Sequence, residues 1–186
     1  MTRLLELSAL AALFIIPVVA CTGSETPTFL GDTPLTEDVA ERLITKTEIQ
    51  AAGGNVGGLN QSVEDLLEIA SSIDPTLPTM IEALWSVRWT ASGRPGALMT
   101  LTRFREAPRA HGALDKIESG VAYHAMDNAI GDRSALSPAN ADIGIAVTFV
   151  HGRTLVAFQL PVASDGSTLL NEQQLLALAA MIESKL

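Results

Sequence analysis

The chain is poor in the residues that most often carry chemistry. Its 186 residues include one cysteine, Cys21, and three histidines, His111, His124 and His151. A single cysteine excludes an internal disulfide, so an exported form of the protein has to be held together by its core alone. The histidines fall at a predicted helix start, in a predicted strand and at a predicted turn, with no His-x-x-x-His pair and no cysteine partner. A zinc centre needs three or four convergent ligands, and this spacing offers none; no metal or other cofactor is expected. A Gly-x-Ser-x-Gly elbow for a serine nucleophile is also missing. With no nucleophile, base and orienting group to assemble, the chain is not expected to be an enzyme. Basic residues are scarce too, 12 Lys and Arg against 21 Asp and Glu, for a net charge of −9. Binding to phosphate backbones needs a net basic face, so nucleic acid is not an expected partner.

One apolar run opens the chain. Leu7 to Ala20 spans about 14 residues behind Arg3, short of the roughly 20 that a membrane-crossing helix needs, and small residues close it. Residues 1–20 therefore read as a cleavable signal peptide. The string Val18-Val19-Ala20-Cys21 resembles the lipobox of bacterial lipoproteins. That resemblance implies a diacylglyceryl group on the Cys21 thiol and a mature chain that begins there. It also implies export and anchoring to the cell envelope, at the cell membrane or the outer membrane, with the domain facing the periplasm or the exterior. Two or more acyl chains, at about 0.8 kcal/mol per buried CH₂, would hold the protein on a bilayer without any membrane-binding face of its own. Residues 21–35, rich in Thr, Pro, Gly and Ser, read as a flexible tether reaching roughly 20 Å.

Residues 36–186 are one domain's worth of chain. Thr36 is placed to cap a helix carrying Val39, Leu43 and Ile44 on one face. Thr45-Lys46-Thr47-Glu48 has the spacing of a capping box and opens a second helix, Lys46 to Ala52, stopped by Gly53. The glycines of Gly53 to Gly58 follow a helix and lack the Lys-Ser/Thr of a phosphate loop, so they read as a turn. Ser62 is expected to cap a third helix with Val63, Leu66, Leu67, Ala70 and Ile73 on one stripe, ending at Asp74-Pro75.

From Leu84 the period changes to two. Trp85, Val87 and Trp89 alternate with polar residues, which predicts a strand with the two tryptophans in the sheet core. A turn at residues 92–96 and a second strand, Ala97 to Arg105, complete a hairpin, and Ala107 to Gly120 reads as a helix. Strands are then expected at Tyr123 to Ile130, Ile143 to Val150 and Arg153 to Leu160, with His151-Gly152 as a tight turn, before a last helix from Thr168 to Leu186. The sum is an α+β fold: an antiparallel sheet of about five strands with helices packed on one face, preceded by two or three short helices.

Charge is spread unevenly over this order. Residues 22–82 carry 11 acids against 2 bases, whereas residues 83–109 carry 5 bases against 1 acid. Within that basic segment Arg88, Arg103, Arg105 and Arg109 are the candidate ligand-binding residues, suited to a carboxylate, a phosphate or an acidic surface if they converge. The competing reading, and the favoured one, is that they neutralise the protein's own carboxylates. Gly131-Asp132 reads as a turn whose side chain bonds the backbone.

The segment Leu43 to Gly54 resembles the "LLT-x-x-E-x-x-x-x-G" opening of small secreted bacterial lipoproteins of unknown function, and Ile130 to Ala135 is similar to the "GxGD-x-A" step that precedes their final hairpin. The order of elements is also similar to the PsbP/Mog1-like fold. These resemblances imply a non-catalytic interaction or accessory binding module on the envelope, with envelope proteins as partners and the membrane reached through Cys21. The alternative is a carrier of a small apolar ligand or lipid.

Overall fold

A computed structural model describes residues 34–53, 58–91, 94–120, 123–140, 144–163 and 165–186. The expected signal peptide, the lipobox with Cys21, and most of the tether lie outside the described residues.

The domain is α+β and is organised by one antiparallel sheet of seven strands rather than about five. Its order is β1-β2-β3-β7-β6-β5-β4, from Asn60–Asp65 (β1), Ile81–Ala91 (β2), Arg94–Phe104 (β3), His124–Ala125 (β4), Arg133–Asn140 (β5), Gly144–His151 (β6) and Thr154–Leu160 (β7). The long β2–β3 hairpin is the spine, with Trp85 opposite Leu101, Val87 opposite Met99 and Trp89 opposite Ala97. The β6–β7 hairpin docks beside it, Phe158 opposite Met99 and Val156 opposite Leu101. His151 still pairs with Thr154, so the two turn residues are Gly152 and Arg153, one position later than the sequence suggested, with Gly152 at φ 56° supplying the left-handed corner.

Helices cover both faces of the sheet, not one. On one face Glu37–Leu43 (α1), Lys46–Gly53 (α2) and Glu172–Glu183 (α6) close over the main core. There Leu43, Ile49, Leu175, Leu178 and Ile182 meet Val87, Trp89, Met99, Phe149 and Phe158. Trp89 and Phe158 pack edge to face with centroids 6.0 Å apart. On the other face Ala107–Glu118 (α5) presents Ala110 and Leu114 to Ala135, Val150 and Leu155. The reason lies in β6: every residue from Gly144 to Val150 is buried, so the strand has no solvent side and both its faces need a cover.

Three local expectations are corrected. The stretch after Gly58 is not one helix capped by Ser62. Residues 60–65 form β1, with Ser62 opposite Arg88 and Val63 opposite Val87, and only Leu67–Ile73 (α3) is helical, its Leu67 N–H bonded to the Asp65 carboxylate at 2.8 Å. The backbone edge of β2 offers Gln61 to Asp65 a ladder of partners, which outweighs a helical hydrophobic stripe. A single turn, Leu77–Met80 (α4), follows α3. In place of a strand over Tyr123 to Ile130 only His124 and Ala125 are paired, and the missed strand is β5, opposite β6. The last helix begins at Glu172 rather than Thr168, because Asn171 and Gln174 form a reciprocal capping box there.

Leu35, the last residue of the expected tether, belongs to the domain. It is buried in the main core, and its carbonyl accepts a 2.9 Å hydrogen bond from the Trp85 indole N–H.

Candidate functional site

The four arginines singled out from the sequence do not form one site. Arg103 is buried near the end of β3, its Nε 3.9 Å from the Glu82 carboxylate, which also receives Arg153 at 3.1 Å. It balances an internal acid. Arg88 projects from the middle of β2 opposite Leu98, whereas Arg103 lies opposite Ala83, five residues along the same strand. At about 3.3 Å per residue the two stand roughly 16 Å apart, too far to grip one small anion.

Arg105 and Arg109 come closer to a common purpose. Phe104 ends β3, the chain turns at Arg105 and Glu106, and α5 starts at Ala107 with Pro108 in its first turn, where a missing N–H costs nothing. Arg105 donates through Nε to the Pro78 carbonyl at 2.9 Å, which ties this turn to α4. Between α4 and α5 lies an open groove of about 340 Å³. Its walls are Leu77, Met80, Ile81, Phe104 and Ala113, and Arg109 and Lys116 stand on its rim. Arg109 pairs with Glu106 at 3.4 Å, an exposed contact of small energetic weight. Lys116, missed as a candidate, lies seven residues beyond Arg109 on the same helix, hence on the same face and about 10 Å away. The spacing was readable from the sequence; that α4 would wall the other side was not.

The acids of α5 point elsewhere. Asp115, at 2.7 Å, and Glu118 both bind Arg133 at the start of β5. These bonds, that with Asp115 first, raise the Arg133 guanidinium further above its usual range.

The histidines are separated. His111 approaches Asp132 at 3.8 Å, His151 approaches Glu183 at 3.1 Å, and His124 is exposed on β4. Among the described residues no group of three His, Cys, Asp or Glu side chains could hold a metal ion. Asp132 is a turn residue as read from the sequence: its carboxylate accepts the Gly152 N–H at 2.8 Å, and the preceding Gly131, at φ 66°, has the Val150 carbonyl where a Cβ would sit.

A second surface feature is α3. No residue of this helix is buried, and Ile69 and Ile73, one turn apart, are 53% and 82% exposed. Acids frame it: Glu64, Asp65, Glu68 and Asp74 are all exposed. The Thr76 hydroxyl and N–H bond the Asp74 carboxylate and hold it below the usual carboxylate range.

No family model matches the chain, and comparison with curated proteins and with solved structures gave no match either.

Proposed function

We propose that this is an exported, lipid-anchored envelope protein that acts as a non-catalytic interaction module. The observation that carries the reading is the contrast between a filled core and an apolar ridge left outside it. Trp89, Phe149 and Phe158 are fully buried and pack the space between sheet and helices, while Ile69 and Ile73 of α3 stay largely exposed and no residue of that helix is buried. Isolated surface leucines and isoleucines are ordinary, but two on one short helix that contributes no buried residue form a contact ridge. The framing carboxylates repel an anionic bilayer and fit a protein partner that offers an apolar pocket with basic groups around it.

The test is crosslinking in membranes of the native host, with Ile69→Ser/Ile73→Ser beside the wild type. Both side chains face solvent, so stability is expected to stay within about 0.5 kcal/mol. Loss of a specific crosslinked envelope protein supports the reading. An unchanged crosslinking pattern sinks α3 as the contact.

A second reading, binding of a small apolar ligand, is favoured by the groove between α4 and α5, whose volume lies at the lower end of the range for small-molecule sites, roughly 300–1,000 Å³.

A further inference from the structure

We propose that the groove between α4 and α5 binds a single-chain anionic amphiphile, with the hydrocarbon along the groove and the carboxylate at Arg109 or Lys116. The inference rests on the second reading above and adds the ligand's charge and shape.

Three observations carry it. The groove is lined by apolar side chains of α4, the start of β2 and the end of β3, so it favours a chain of methylenes over a polar solute. Its two charged members are both cations, on a protein of net charge −9. The acids that could have cancelled them from α5, Asp115 and Glu118, are committed to Arg133. Glu106 meets Arg109 only in an exposed contact. An anionic head group is therefore matched by charge at either end of the groove.

The third observation is Gly112. Glycine inside a helix is unfavourable because it fixes a backbone that is otherwise very free, and it is accepted where a neighbour needs the space. Here a Cβ at residue 112 would meet nothing within 4 Å. No packing partner asks for glycine, yet the residue lies on the groove wall between Arg109 and Lys116. What the missing side chain preserves is open floor for a chain lying along α5.

Titration calorimetry of the full chain, kept free of detergent, with octanoate, decanoate and dodecanoate tests this. Dodecanol and dodecyltrimethylammonium serve as neutral and cationic controls. Saturable 1:1 binding of the carboxylates is expected, tightening by up to roughly fourfold per methylene until the groove is full. Arg109→Gln/Lys116→Gln, both at exposed positions, is expected to weaken dodecanoate about tenfold and leave dodecanol unchanged. Gly112→Leu, which grows into open space, is expected to weaken both while the thermal midpoint holds.

Equal affinity for dodecanol and dodecanoate would overturn the anionic assignment and leave the apolar-ligand reading standing. No saturable binding of any probe would overturn both. Binding that survives Gly112→Leu in a folded protein would place the ligand elsewhere and end the proposal.

Discussion

Glu48 shows how one side chain can belong to two levels of structure. Its carboxylate accepts the Thr45 N–H at 2.7 Å and the Thr45 hydroxyl at 2.9 Å, which closes the capping box read from the sequence. Its other oxygen meets Lys185 at 2.7 Å, a lysine whose side chain is only 5% exposed and which is 137 residues away in the chain. Burial pushes the Glu48 carboxyl up and is the largest single influence. The bonds from Lys185 and Thr45 together outweigh it and hold the group below its ordinary value. Because the folded state prefers the ionised form, the stabilisation is complete above the unfolded carboxylate value, about 4.3, and is lost as pH falls through the lowered folded one. Glu48→Gln leaves Lys185 buried without its counter-charge, and a loss of about 2–3 kcal/mol at pH 7 is expected. Urea unfolding of both proteins at pH 7 and near pH 3 checks this: the gap should shrink at the acid end, and a constant gap would mean that the ion pair is not its source.

At the scale of elements, what decided the structure was who supplied the backbone partners. The segment from Ser62 to Ile73 has a helical stripe, yet its first residues pair with β2 because an edge strand's free N–H and C=O groups are a stronger local template than a short isolated helix. β5 was illegible for the converse reason. Arg133-Ser-Ala-Leu-Ser-Pro-Ala-Asn140 has neither a β-branched run nor clean alternation, and Pro138 sits where the register with β6 slips between Ser137 and Asn140. Helix starts were more legible where the cap is local. Thr36 accepts the Val39 N–H as expected, but at α6 the box formed by Asn171 and Gln174 overrides the expected cap at Thr168. Since α6 lays Leu175, Leu178 and Ile182 onto the main core, Asn171→Ala is expected to cost about 1 kcal/mol of global stability, read as a lower denaturation midpoint with an unchanged slope. A fall confined to local hydrogen exchange at residues 171–175 would show that this end frays independently of the core.

For the molecule as a whole, charge and attachment set how it would meet its surroundings. Most of the described acids of residues 22–82 lie on α1, β1 and α3, and of the cations of residues 83–109 Arg103 meets the protein's own Glu82 while Arg109 lines the groove. Such a distribution gives the two surface features opposite characters: an acid-framed apolar ridge on α3 and a cation-rimmed apolar groove on α5. No described helix is long and apolar enough to cross a membrane, and the proposed attachment rests on Cys21. Intact-mass analysis of the membrane and soluble fractions, wild type beside Cys21→Ser, is expected to show an acylated wild-type chain cut before Cys21 in the membrane and an unacylated variant depleted from it. Equal partition of the two proteins with no mass difference beyond the substitution would remove the anchor.

Sequence alone determined what depends on near neighbours: the α+β class, the β2–β3 and β6–β7 hairpins, the boxed start of α2, the inward alternation of Trp85, Val87 and Trp89, and the turn at Asp132. Each is written in contacts a few residues apart or in a period of two or 3.6. Tertiary structure decided the rest. The placement of α5 on the opposite face from α6, the separation of Arg88 from Arg103, the union of Glu48 with Lys185, and the groove that brings Leu77 opposite Gly112 all join residues distant in the chain. Those pairings follow from the order in which strands stack and from which face of a fully buried strand needs covering, and no local pattern encodes either.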